Sequence, residues 1–278
     1  VILLFAALLP CLALDGDAAC QADAKSATKL ASPGVEYRMN EASASRSPWL
    51  TSNGWMIQRK PQAKFYYDVK GDAAEVAAVE AFAYGVEAVI HADAKGAAAF
   101  ARILPFLKQV KPLDLPVVAN IGVVDDGSEE VGELMNLLTR HNLLYRIVPA
   151  PDPKLAVNVK IGMKEFPKEE AADANRMSHQ VRSMLTDERR ALRIYGSEVI
   201  VGRLTSDGSR ARLELINYGK DPVQGVRVRV RGVFARNELA MSGAPGAKLE
   251  EFAVEGDATE FTISAMNRFA VIDLFAKK

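Results

Sequence analysis

Beyond Cys20 the chain contains no cysteine, so most of its 278 residues offer no thiol nucleophile. The G-x-S-x-G elbow, the phosphate-binding loop, the H-E-x-x-H pair and the dinucleotide fingerprint are all missing. Their absence removes the serine-hydrolase, nucleotide-hydrolysing, zincin and Rossmann classes. Neither sign of charge prevails: Lys plus Arg equals Asp plus Glu at 35 each, for a formal net charge of zero. Nothing global therefore points to nucleic acid or to a polybasic membrane-surface mode. Tryptophan is scarce, with Trp49 and Trp55 the only two.

What is present belongs to a globular protein. Apolar residues make up 49% and charged residues 25% of the chain, which suits one large or two ordinary domains. The opening run VILLFAALLPCLAL is too short to span a bilayer and leads into small residues, the pattern of an export signal. Residues 1–24 are read as that signal, with Ala13 or Ala24 at the cleavage point. The expected location is then periplasmic or extracellular, with no transmembrane span in the mature chain. Both cysteines, Cys11 and Cys20, fall in this leader, so the mature protein is expected to lack a disulfide. Residues 25–47 are small and polar, a flexible lead-in with one strand at Val35 to Met39.

Residues 48–188 are read as an α/β domain. Trp49 and Trp55 flank an Asn53-Gly54 turn, and Trp55 to Arg59 is expected to pair with Phe65 to Val69 as a hairpin. Asp72 and Glu75 form a capping box for a helix that stops at Gly85. Val86 to His91 reads as a strand, and Lys95 to Val110 as a helix interrupted at Pro105. The clearest unit is Asn120 to Pro153. It begins within a strand over Val117 to Val124 and goes on through an acidic turn at Asp125-Asp126, an amphipathic helix and a returning strand at Leu144 to Val148. Val131, Leu134, Met135, Leu137 and Leu138 supply the buried stripe of that helix. Ala156 to Ile161 adds a strand and Lys168 to Leu185 a charged helix. The alternation predicts βαβ units around a small, mostly parallel sheet flanked by helices.

Residues 189–278 change rhythm. Glu198 to Leu204, Arg210 to Asn217, Gln224 to Arg231, Leu249 to Val254, Thr259 to Ile263 and Phe269 to Leu274 alternate with period two between Gly-rich turns. This predicts an all-β sandwich domain.

Three constellations carry potential chemistry. In the first, His91 and Asp93 follow one strand, and Asp125 and Asp126 follow the next. Were those strands parallel neighbours, the four side chains would share one rim of the sheet, where open α/β sheets place ligands. Asp125 or Asp126 could then act as acid or base. His91, Asp93 and the helix start at Ser128 would bind ligand. Capping of the helix by Asp126 accounts for the same local pattern. In the second, Trp49 and Trp55 offer faces for sugar rings, with Asn53, Arg59 and Asp68 near enough to hydrogen-bond hydroxyls; ordinary core packing is the alternative. In the third, VRVRVRG sets Arg227, Arg229 and Arg231 on one side of a strand. Such a row either grips an acidic polymer or is a solvated sheet face. His141 falls at a helix C-terminus, where a positive ring would suit the dipole. Asp187-Glu188 reads as exposed helix charge. No cofactor or metal is expected.

VVDD before an amphipathic helix resembles the acidic strand of response-regulator receivers, but the later strands with their aspartate and lysine are not there. The Asn120 to Pro153 unit also resembles part of the glutamine-amidotransferase-like α/β domain that accompanies catalytic barrels in large bacterial glycosidases. TEFTISAMNRFAVIDL at 259–274 and LELINYGKDPVQGVRVRV at 213–230 are similar to strands of the small β-sandwich that ends many such enzymes. The amidotransferase cysteine is missing, so no catalytic residue carries over. The chain is also too short for a full barrel beside both modules. The resemblance implies a carbohydrate-associated binding or scaffold protein with an oligosaccharide or polysaccharide as partner. A glycan hydrolase using Asp125 and Asp126 is one alternative, and a structural protein of the cell envelope another.

Overall fold

The computed structural model describes residues 9–14, 26–39 and 46–277; Cys20 and Ala24 lie outside them. The fold class is the expected one. Parallel sheets with helices occupy the first two-thirds of the chain, and an antiparallel sandwich follows.

The first parallel sheet contains β1 (Cys11–Ala13), β2 (Thr28–Leu30), β5 (Phe65–Val69) and β6 (Ala88–Ala92), in the order β1-β6-β5-β2. Cys11–Ala13, part of the segment read as a leader, thus pairs with Val89–His91 as an edge strand. A separate hairpin joins β3 (Gly34–Met39) to β4 (Arg46–Thr51). Between β4 and β5 lies α1 (Gly54–Arg59), a helix where the sequence predicted a strand. Six residues do not complete two helical turns, so local periodicity carries little signal there. Tertiary packing decides instead. Ile57 is buried in the core around the first sheet. Gly54 is needed for close approach, since a Cβ on it would stand 2.0 Å from the Tyr84 hydroxyl.

Helix α2 (Ala73–Tyr84) is buried almost all round and ends, as predicted, at Gly85 in the left-handed conformation (φ 64°). The expected capping box does not form. Asp72 makes no cap hydrogen bond and faces Arg102 at 3.2 Å and Lys95 at 3.7 Å. Helix α3 (Ala94–Gln109) runs unbroken through Pro105, which forgoes the bond a proline cannot donate to Ala101.

A second parallel sheet holds β7 (Ile121–Val123), β8 (Tyr145–Ile147) and β9 (Val157–Val159) in the order β8-β7-β9. It is covered by α4 (Glu129–Arg140) and α5 (Ala174–Leu185), the latter preceded by a short 3-10 turn at Lys168–Glu170. The predicted stripe of α4 is buried in full. Strands β6 and β7, the pair whose adjacency the shared rim required, belong to different sheets.

The sandwich has eight strands. One sheet orders β10 (Leu192–Tyr195), β13 (Val223–Arg231), β16 (Ala258–Met266) and β15 (Glu250–Glu255) as β10-β13-β16-β15. The other orders β11 (Ile200–Ser206), β12 (Arg210–Asn217), β17 (Phe269–Phe275) and β14 (Arg236–Met241) as β11-β12-β17-β14. Their inner faces share one apolar core built from alternate residues such as Val226, Val228 and Val230. The outer face of β12–β17 packs on α2 in the same core as the first parallel sheet, so α2 lies between that sheet and the sandwich. Among the described residues no helix is long and apolar enough to cross a membrane.

Candidate functional site

The strand-end residues do not gather into one site. Asp125 makes a two-pronged ion pair with Arg59, Nε to Oδ2 at 2.8 Å and Nη2 to Oδ1 at 2.7 Å. Both side chains are largely buried, at 15% and 13% exposure. Arg59 also donates to the Ser128 carbonyl at 2.9 Å and stands 5.6 Å from the Trp55 ring centroid. Trp55 in turn lies against Gly132. Trp55, Arg59, Asp125 and Ser128 therefore meet, as the joint that docks α1 on the start of α4. Asp126 accepts the Ser128 amide at 2.9 Å. Hydrogen bonds from the Ser128 hydroxyl and amide hold its carboxyl below the usual range. The cap of α4 is Ser128 itself, whose Oγ accepts the Val131 amide at 3.3 Å, and not Asp126.

The remaining candidates are dispersed. Asp93 caps α3 through the Gly96 amide at 2.7 Å and accepts the Gly71 amide at 3.0 Å. Those two amides, Gly71 first, hold its carboxyl below the usual range. His91 Nδ1 lies 3.0 Å from Asp68 Oδ1 on the first sheet. Asn53 is 2% exposed. Its side chain exchanges two hydrogen bonds with the Ala31 backbone at 3.0 Å each and donates to Glu80 at 2.8 Å. Trp49 carries the Arg140 guanidinium 4.1 Å from its ring centroid, at the far end of α4 from Trp55. The arginines of β13 are matched by carboxylates of β16 and of the turn before it. Arg227 meets Glu260 at 2.7 Å, and Arg229 and Arg231 meet Asp257 at 3.2 and 2.8 Å. Among the described residues no three His, Cys, Asp or Glu side chains form a metal cluster.

A concave surface lies elsewhere, where the β3–β4 hairpin, the C-terminal ends of α4 and α5, and the edge strand β10 converge. A groove of about 820 Å³ runs between Val35, Tyr37 and Pro48 on the hairpin and two turns of the sandwich, Gly196–Val199 and Gly219–Val223. Beside it lies a pocket of about 350 Å³. The two share Pro48, Ile194, Ser197 and Glu198. Such volumes suit a small-molecule or oligomer site.

Local chemistry explains how the pocket is built. Asn142 follows α4 in a left-handed conformation (φ 53°). From there its amide group bridges β11, accepting from the Gly202 amide at 2.7 Å and donating to the Ile200 carbonyl at 2.9 Å. Arg190 donates to the carbonyls of His141 at 2.9 Å and Asn142 at 3.3 Å, closing the end of α4. Asp187 faces three guanidiniums, Arg190 and Arg193 at 3.3 Å each and Arg182 at 3.6 Å. Burial works to raise its carboxyl but is outweighed by these arginines, which hold it below the usual range. His141 is driven the other way from the sequence expectation. Partial burial, then the charges of Arg140, His179, Arg182 and Arg190, lower its pKa to about 4. It is a neutral ring at pH 7, not a cation for the helix dipole.

Sequence reading missed this site. Asp187 was read as an exposed helix charge, and Arg140, Arg182, Arg190 and Arg193 were not singled out. The density of arginine in RSMLTDERRALR, just where a helix ends, was the one local signal.

No family model matches the chain, and no curated protein does either. Among solved structures, the α-L-fucosidase isoenzyme 2 from Paenibacillus thiaminolyticus is similar over 81% of this chain and 62% of its own, at 10% identity and a TM-score of 0.58. A rhamnosidase from Novosphingobium sp. PP1Y overlaps 77% of this chain and 17% of its own, at 13% identity and a TM-score of 0.27. The latter likeness is too loose to argue from. The former is a likeness of fold, and this chain spans less than two-thirds of the fucosidase chain.

Proposed function

We propose that the protein holds an oligosaccharide in the groove between the hairpin and the sandwich, as a binding module and not through a hydrolytic site of its own. The observation that carries this reading is the groove itself: a recess of about 820 Å³ with mixed polar and apolar walls, edged by Tyr37, a residue 53% exposed. Exposed aromatic faces pack on the apolar faces of sugar rings, while the polar turns opposite supply hydrogen bonds. The fold shared with a fucosidase supports a carbohydrate ligand. The finer likeness of the β7–β9 unit to an amidotransferase-like accessory module belongs to the same reading, as does export, which rests on the apolar leader.

A binding role is favoured over hydrolysis by the fate of the carboxylates. Asp125 is committed to Arg59, and Asp126 to its turn. Glycoside cleavage needs a carboxylic acid held protonated beside a second carboxylate. Among the described residues, the carboxyls that burial holds above the usual range, Glu75 and Glu214, line neither the groove nor the arginine pocket.

Titration of the full chain against a broad glycan array, followed by calorimetry on the hits, tests this. Binding without release of reducing sugar is expected. Tyr37→Ala should weaken it by about three- to tenfold, the size of one aromatic stacking contact. Absence of any oligosaccharide binding, or steady glycosidic turnover, would overturn the reading.

A further inference from the structure

We infer that β1 is a permanent strand of the folded protein, so that the apolar opening of the chain is not cut away after Ala13 or Ala24. Processing at either point would take Cys11–Ala13 out of the first parallel sheet.

Pairing gives the first reason. Cys11, Leu12 and Ala13 stand opposite Val89, Ile90 and His91 in parallel register. The sheet runs β1-β6-β5-β2, so among the described residues β1 is what keeps β6 from being the edge. Strand β6 reads Ala-Val-Ile-His-Ala, and every residue of it except His91 is buried. Without β1, the backbone N–H and C=O groups on that side of an apolar strand would lose their partners. A bare apolar edge is a template for pairing with other chains, which proteins blunt with lysine, proline or a covering element. Strand β6 carries neither lysine nor proline. Its protection on that side is β1.

Packing gives the second. Ala13 is 7% exposed, and Leu12 packs on the core that the first sheet shares with α2 and the sandwich. Pro10, just before the strand, is also buried. A leader serves translocation and is then discarded, so the mature core reserves no place for its side chains. Leu12 and Ala13 occupy such a place, and their removal would strip apolar cover from the sheet.

Covalent structure gives the third. Cys11 is disulfide-bonded, and Cys20 is the one other cysteine of the chain. A cut after Ala24 would remove both, and a cut after Ala13 would remove Cys11 alone. A cross-link stabilises mainly by restricting the unfolded chain, and it does nothing for a protein from which it has been cut. The disulfide that the leader reading removed is therefore kept with the strand. Disulfides persist in oxidising compartments, so export keeps this support although no leader is cut at Ala13 or Ala24.

The test compares the full chain with a version beginning at Lys25, both without reductant, by thermal unfolding and amide hydrogen exchange. The shorter version should melt about 5 to 10 °C lower or fail to fold. Where it folds, the β6 amides should exchange at least about tenfold faster than in the full chain, while those of the central sandwich strand β16 keep their protection. The variant Leu12→Asn, which keeps length and both cysteines, should show the same local loss at β6. Equal midpoints with equal β6 protection in the two chains, or unchanged β6 exchange in Leu12→Asn, would overturn the inference. N-terminal sequencing of the folded protein recovered from cells gives a separate reading. A start upstream of Cys11 is expected, and a start at Leu14 or Lys25 would overturn it.

Discussion

Glu80 has no exposed surface, yet it is an acidic side chain among buried residues of α2 that are otherwise alanine, valine and phenylalanine. Five donors converge on it. Oε1 accepts from Ser52 Oγ at 3.2 Å, the Asn53 amide at 2.7 Å and the Tyr218 hydroxyl at 2.6 Å. Oε2 accepts from Asn53 Nδ2 and the Tyr67 hydroxyl, both at 2.8 Å. These residues follow β4, lie in β5 and follow β12, so one carboxylate ties the first parallel sheet, the hairpin and the sandwich together. Burial, and then the charge of Glu80, hold the Tyr67 and Tyr218 hydroxyls well above the ordinary tyrosine pKa, so both remain donors. Glu80→Gln replaces one acceptor with a donor facing donors. We expect it to lower stability by about 3 kcal/mol, the cost of leaving buried polar groups unmet. Urea denaturation measures this, and a loss below about 1 kcal/mol would show that the network rearranges around the amide. The sequence marked none of this, because an acid in a helix normally reads as a solvent-facing residue.

At the scale of elements, α2 and α4 represent two regimes. Helix α4 has one buried face and was legible from the spacing of its apolar residues. Helix α2 is buried on nearly every side, and its many alanines let the first sheet and the sandwich approach it from opposite directions. Its composition signalled a helix, but not which surfaces would cover it. The start of α4 gives a test of local chemistry. Ser128→Ala removes the Oγ that accepts the Val131 amide, and capping residues contribute about 1 kcal/mol. Chemical denaturation should show a loss of that size. No change would mean that the Asp126 turn and the Arg59–Asp125 pair hold the helix start unaided. Short elements were the hardest to read. The edge strands Leu192–Tyr195 and Arg236–Met241 went unpredicted, and α1 was taken for a strand, since four to six residues do not separate the two periods.

For the molecule as a whole, the junction among the second parallel sheet, the hairpin and the sandwich makes both the groove and its electrostatics. His141 reports on that junction. Its folded pKa of about 4 lies below the ordinary 6.5, so the unfolded chain takes up a proton more readily than the folded one. The stability it contributes is fully present above 6.5 and is lost as pH falls from there through 4. Thermal unfolding of the wild type and of His141→Gln across pH 4 to 8 should therefore run parallel above neutrality. Below it the wild type should lose ground, and parallel curves throughout would contradict the assigned environment. Because His141 keeps part of its ring in solvent, added salt should shrink the difference.

The sequence by itself determined the class and order of the parts. The period-two runs specified the sandwich, with Arg210–Asn217 legible residue for residue, and the stripe of α4 specified a βα unit. These signals are local, because a side chain's face follows from its spacing along one element. Tertiary structure alone decided which elements became neighbours. It divided the parallel strands between two sheets, parting His91 and Asp93 from Asp125 and Asp126. It also brought Tyr37 of the hairpin and the turns Gly196–Val199 and Gly219–Val223, from three separate stretches of chain, to the rim of one groove. Proximity of that kind arises from packing between distant segments, which no repeat or spacing within a single segment encodes.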